Sequence, residues 1–383
     1  MVHFNHASSS AGDSLLMNRV IEGLPNSILE KAKVERTPAT LQIHATGKEI
    51  ELDVRIQAVS LNHKGKLLLN VETTRVLNSS LKYSELHLRN FKAFQGNEIV
   101  LCSSRWRIAL FQHGEFGGLS GHRAVITKTN GEEYEVKELE EVLTILKLFL
   151  TFLACDYQVP TVVIGYDSLN RIVCGQIGKF RVKAPPANWF DRTGKISSNW
   201  GHLFPAFWSQ WKKHPHEIAI MIDYYVSSAT MARCGLVKDA VAKSYEALEF
   251  LAGLVLNHPD PDDYAKNIAK ALEKYDIPHR KLRKSKNPQT KQIMQDLGIS
   301  GSGYQLINSV RNYITHPMEK GDPQTAKKMY RNYFDSDYAR YYYVFDLSQF
   351  YFEYLFLKAY CDYTPPLESL HRLLAEISER LYV

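Results

Sequence analysis

Along this chain the spacing of apolar side chains changes from two residues to about 3.6 residues near the middle. In Ile50-Glu51-Leu52-Asp53-Val54-Arg55-Ile56 every second residue is apolar, the alternation of a strand with one buried face. Leu41–His44, Lys66–Val71 and Trp106–Leu110 read the same way. Asn130-Gly131, between Ala124–Thr129 and Tyr134–Val136, predicts a two-residue hairpin, since both residues tolerate positive φ. A helix is expected from Lys137 to about Asp156, with acids in its first turn where the helix dipole favours them. Thr161–Gly165 and Ile172–Ile177 add strands. Residues 16–185 therefore predict a β-rich α+β domain with one long helix. Residues 1–15 are small and polar and read as a mobile tail.

Ala184-Pro185-Pro186-Ala187-Asn188 marks a linker. It opens a Trp-rich connector, residues 186–215, whose Trp189, Trp200, Trp208 and Trp211 are expected to form a packing wedge rather than a ligand cage. From His216 the period becomes helical. Helices are predicted at 217–234, 237–257, 262–275, 303–315, 324–362 (broken near Ser336) and 366–381. The fold class is an α+β amino-terminal domain followed by an all-α bundle over 216–383. Tyr341-Tyr342-Tyr343 and the aromatics through Tyr363 suit a core or a dimer interface.

Composition narrows the function classes. A chain of 383 residues, 45% hydrophobic and 23% charged, is an ordinary globular one with room for two domains. Its five cysteines include no CxxC spacing, which favours a reducing, cytoplasmic setting and argues against zinc. The most apolar run, Val142–Cys155, carries Lys147 and falls short of the ~20 residues a membrane span needs, so no membrane partner is expected. Net charge is +6, and the whole surplus lies before Glu217. Such a balance permits a nucleic-acid partner without demanding one.

The strongest chemical signal is Arg311-Asn312-Tyr313-Ile314-Thr315-His316-Pro317. Arg311 can clamp a phosphate with forked hydrogen bonds, and His316 can move a proton near neutral pH. Pro317 disfavours the α conformation at His316, so the helix should end there, where the dipole stabilises a cation. The plain alternatives are a salt-bridged arginine and a helix-capping histidine, because Arg-x4-His arises readily by chance.

The string Arg-Asn-Tyr-Ile-Thr-His-Pro, set after the long apolar helix Asp239–Leu256 and a basic segment, resembles the HEPN domain over roughly residues 215–383. The layout with a β-rich first half resembles the ApeA-like HEPN proteins of bacterial abortive phage defence. The resemblance implies a metal-independent endoribonuclease. It would need no cofactor, and RNA would supply its own 2′-hydroxyl nucleophile. Arg311 would clamp the phosphate, His316 would act as acid and base, and Asn312 would orient the site or touch the phosphate. It also implies a homodimer with a composite site, and an amino-terminal domain that senses a phage-derived or nucleotide trigger. Many HEPN domains are instead non-catalytic scaffolds for dimerisation or ligand binding, and that reading stays open.

Two further features bear on such a site. Glu249 falls at the margin of the apolar helix face, where a carboxylate wants a cationic partner. The HEPN resemblance implies an acid on this helix that orients the motif arginine as part of the catalytic set, and Glu249 is preferred for it to Glu246, which lies nearer Lys243, although a solvated helix-edge role is equally compatible. The acid-free segment Arg280, Lys281, Arg283, Lys284 could line an approach path for RNA or be a solvated basic loop. The glycine-rich stretch from His113 to His122 reads as a flexible connection between strands. Gly298–Gly303 reads as a turn with Ser302 as N-cap.

Overall fold

A computed structural model describes residues 2–5, 37–45, 48–61, 67–73, 80–89, 98–116, 119–158, 160, 162–177, 199–256, 259–260, 263–279, 302–315 and 338–364. The chain forms two compact units. The first is drawn from Met1–Asn90, Arg105–Leu143 and Val159–Arg181, the second from Phe91–Ser104, Thr144–Gln158 and Val182–Val383.

The first unit opens with a four-stranded antiparallel meander: β1 (Val2–Asn5), β2 (Thr37–Ala45), β3 (Lys48–Leu61) and β4 (Leu67–Thr73). The β1 strand corrects the expectation of a mobile tail for its residues. Val2 and Phe4 alternate with His3 and Asn5, and they pair in register with Ile43 and Leu41 of β2.

A six-stranded antiparallel sheet follows, built from β5 (Tyr83–Arg89), β6 (Glu98–Cys102), β7 (Trp106–Phe116), β8 (Leu119–Lys128), β9 (Val162–Tyr166) and β10 (Ile172–Ile177). Its order is β10-β9-β5-β8-β7-β6. Leu86, Leu88, Ile108, Leu110, Ala124 and Ile126 are buried at alternate positions, as the period of two requires. β7 and β8 run closer together than expected. Most of the predicted His113–His122 connection is strand, and a register shift between His113 and Glu115 absorbs Gly114. His122 sits buried opposite Gln112.

The predicted hairpin at Asn130-Gly131 is half right. Gly131 has φ +72°, the turn conformation expected of it. The chain beyond it does not return along β8. Tyr134 instead bridges Leu81, with N–O distances of 2.7 and 2.9 Å. Its buried hydroxyl bonds Ser84 Oγ (2.8 Å) and the Ile126 carbonyl (3.1 Å). Two residues later α1 (Val136–Ala154) begins, with Glu138 accepting from the Glu135 amide at 3.1 Å. Burying the tyrosine outweighs local hairpin propensity here.

In the second unit, α2 (Trp200–Lys213) replaces the latter part of the expected connector. Trp200 and Trp208 are buried on it, so the packing role read for the tryptophans holds for these two. Helices α3 (Pro215–Arg233), α4 (Val237–Val255), α5 (Tyr264–Lys274), α6 (Gly303–Thr315) and α7 (Tyr338–Tyr360) lie within the predicted ranges or within two residues of them. The hub is α4, which touches α3, α5, α6 and α7. Helix α7 is buried from Leu347 through Leu357, the signature of an interior helix. Its rings meet those of other helices: Phe352 stacks on Tyr225 at 4.9 Å, and Phe356 lies 4.5 Å from Phe152. Tyr341, Tyr351 and Tyr354 are therefore core residues. The predicted helix at 366–381 and the 324–337 stretch lie outside the described residues.

A polar seam crosses this aromatic core. Glu353 is fully buried and accepts from the Tyr225 hydroxyl at 2.7 Å. Gln349 donates to Ser228 Oγ at 2.5 Å, and Ser228 donates to the Tyr225 carbonyl at 2.7 Å. Beside them burial pushes the Cys155 thiol up to about 12, with the Glu353 charge adding to the rise. Tyr225→Phe is expected to cost about 1–2 kcal/mol, because it strips a donor from a buried acidic acceptor. Thermal melting checks this, with Glu353→Gln as the milder comparison, since Gln can still accept the bond.

Among the described residues no helix is long and apolar enough to cross a membrane.

Candidate functional site

Helix α6 owes its position to Leu306, Ile307 and Val310, which are buried at helical spacing. The Gly303 amide anchors its start by donating to the His279 carbonyl at 2.9 Å. Ser302 stands in the N-cap position and its carbonyl accepts from Leu306. Its hydroxyl bonds nothing among the described residues, so the side-chain cap expected of it is not made.

The flank of α6 beside its apolar face carries Asn308, Arg311, Asn312 and Thr315, one polar stripe at i, i+3, i+4 and i+7. Arg311 Nη1 donates to Asn312 Oδ1 at 2.9 Å. Asn312 Nδ2 lies 3.5 Å from Asn308 Oδ1, which accepts from the Tyr245 hydroxyl at 2.9 Å. The Arg311 guanidinium sits 5.2 Å from the Tyr245 ring centre, a cation–π contact. Thr315 turns its hydroxyl back onto the Arg311 carbonyl at 2.9 Å. Helix α6 is thus continuous through Thr315. His316, the other half of the motif, lies outside the described residues, as do Arg280, Lys281, Arg283 and Lys284.

Arg311 lines an open cleft of about 490 Å³. Glu246, Glu249, Phe250 and Gly253 of α4 form one side, and Tyr224 of α3 adjoins them. Pro259, Asp260 and Tyr264 form the other side. Asn267 ties that wall down from beneath: it accepts from the Asp260 amide at 2.8 Å and donates to the Asp260 carbonyl at 2.6 Å. Asp263 caps α5 by accepting from the Lys266 amide at 2.9 Å.

The carboxylates in the cleft differ in their company. Glu246 is held by Lys243 at 3.0 Å, the i,i+3 partner anticipated for it, and the same ammonium lies 3.5 Å from the Tyr224 ring centre. Asp260 has Lys266 at 3.8 Å. Glu249 forms neither an ion pair nor a hydrogen bond among the described residues. It shares the cleft with Arg311 without touching it. The guanidinium is oriented by Asn312 and Tyr245 rather than by an acid on α4.

Burial raises the Glu249 carboxyl above its ordinary value; Arg311 opposes the rise and Glu246 adds to it. A raised carboxyl weakens the folded state wherever it is ionised. The penalty is nil below the unfolded-state value and complete above the folded-state one. Glu249→Gln is therefore expected to melt at or above the wild-type temperature at neutral pH. That advantage should vanish at about pH 3.5, below the ordinary Glu value of ~4.3. Melting curves at the two pH values decide it.

The sequence reading missed Tyr245, Asn308, Tyr224 and Tyr264. The stripe through Asn308 was a usable signal. Nothing in the sequence pairs it with Tyr245. No family model, curated protein or solved structure matches the chain.

Proposed function

We propose that the chain is an endoribonuclease that cleaves RNA by attack of its own 2′-hydroxyl, with Arg311 as the phosphate clamp. The observation that carries this reading is the state of the guanidinium. It is held in an open cleft by Asn312 and the Tyr245 ring, and among the described residues only Nη1 is bonded. The remaining N–H groups are free to fork onto a phosphate. Charge develops on the phosphate oxygens as the 2′-oxygen attacks, and a pre-oriented guanidinium stabilises that charge without reorganising.

His316 follows Thr315 directly and supplies the proton transfers, taking the proton from the 2′-hydroxyl or giving one to the leaving 5′-oxygen. The Arg311–His316 spacing resembles the HEPN motif, which brings with it a two-fold dimer with two motif helices in one site. In the same reading the β-rich unit responds to a trigger, and the setting is abortive defence against phage.

Purified protein incubated with RNA in EDTA tests the reading. The expected products end in 2′,3′-cyclic phosphate, and overexpression should arrest growth. Intact RNA together with harmless overexpression would leave the helical unit as a non-catalytic scaffold.

A further inference from the structure

The geometry points to a base-binding pocket in this cleft, which takes a guanine of the substrate RNA with Glu249 as the group that reads it. This rests on the ribonuclease reading above. A phosphate clamp needs one cation, and Arg311 provides it. The rest of the cleft is wrong for a second phosphate, since Glu246, Glu249 and Asp260 line it. It is right for a base. A volume of about 490 Å³ falls within the ~300–1,000 Å³ of small-ligand sites, and the walls include aromatic rings.

Tyr264 presents a large ring that is 52% exposed at the cleft. Single-stranded RNA is read by stacking such rings on bases and by hydrogen-bonding the Watson–Crick edge. The choice of base follows from the carboxylate. An ionised carboxylate only accepts, through two oxygens side by side. Guanine alone among the four RNA bases presents two adjacent donors on that edge, N1–H and the 2-amino group. Adenine and cytosine each offer one amino group beside an acceptor, and uracil offers one N–H between two acceptors. Glu246 and Asp260 have lysine partners, which leaves Glu249 as the lining carboxylate without an ion pair among the described residues.

Titration calorimetry with the full chain and the four ribonucleoside 2′-monophosphates tests the pocket, and mapping of cleavage sites on a mixed-sequence RNA tests its use. Guanosine 2′-monophosphate is expected to bind at least tenfold tighter than the other three. Inosine 2′-monophosphate, which lacks the 2-amino group, should lose about tenfold. Glu249→Gln should erase the preference for guanosine, and Tyr264→Ala should weaken all four nucleotides about tenfold without reordering them. Gly253→Leu guards against a variant that fails to fold, because a Cβ at Gly253 meets nothing within 4 Å. It should fill the cleft and abolish nucleotide binding. Cleavage should cluster beside guanosines. RNA cleavage with no guanosine preference in binding or cutting overturns the pocket and spares the nuclease. Guanosine binding without any RNA cleavage overturns the nuclease, and makes this a site for a free nucleotide rather than for substrate.

Discussion

Arg311→Ala is expected to slow RNA cleavage by about 10²–10³-fold, the loss typical of removing a group aimed at developing charge. Arg311→Lys should recover only part of the rate, since an ammonium keeps the charge and loses the planar fork that Asn312 orients. The guanidinium also rests on the Tyr245 ring, so some stability will go with it. A cation–π contact at a half-open site contributes about 0.5–1 kcal/mol, too little to unfold the bundle. Single-turnover cleavage beside a melting curve separates the two effects. His316→Ala should lower the rate by a comparable ~10²–10⁴-fold and remove one limb of the pH–rate profile. Arg311→Ala should leave that limb in place. Cleavage unchanged in both variants would remove the motif from the chemistry altogether.

The helical unit was legible because its punctuation is local. Pro215 opens α3, and Gly235, at φ +81°, separates α3 from α4 where the apolar period restarts. The aromatic run of α7 suited either a core or a dimer interface, and its burial from Leu347 through Leu357 makes that stretch core. What failed was non-local. Gly131 declared its turn, but the decision to pair Tyr134 with Leu81 was taken by a buried phenol needing partners across the sheet. Helix α2 was hidden by Pro205, which breaks a helical pattern on paper and is accommodated inside a real helix. A close approach also concealed it: a Cβ on Gly201 would come 2.7 Å from the Val100 carbonyl, a fit no periodicity reports.

The candidate site divides along the same line. Arg311 and Asn312 are neighbours in one motif, and Glu249, read at the margin of the apolar face, is half-buried on α4. Tyr245 and Asn308 are 63 residues apart, and Tyr264 belongs to a third helix. Amphipathic patterning tells which face of a helix turns inward and not which helix it meets. The cleft is a product of α3, α4, α5 and α6 converging, so its aromatic walls could be read only after the helices were packed.

That convergence makes Gly303→Ala a test of how the fold holds the site. Helix propensity alone predicts a gain for alanine, about 0.8–1 kcal/mol in a helix interior and less at this first position of α6. Packing predicts the reverse. A Cβ at Gly303 would run into the Tyr351 hydroxyl and lie 2.9 Å from two of its ring carbons. Tyr351 is fully buried on α7, and its ring is 5.6 Å from that of Phe350, so it has little room to swing away. Overpacking of this kind costs about 1–3 kcal/mol and sometimes more, and a contact this short belongs at the upper end. The net expectation is a loss of about 2 kcal/mol or more, seen as a melting temperature lower by ~2–4 °C for each kcal/mol. Relief by shifting the start of α6 would also carry Arg311 off the Tyr245 ring eight residues along. On the proposed ribonuclease reading, cleavage should therefore fall although no group assigned to the RNA has changed. Pairing Gly303→Ala with Tyr351→Phe removes the worst contact and leaves the ring carbons. The double variant should regain part of both stability and rate, a coupling that independent sites would not show.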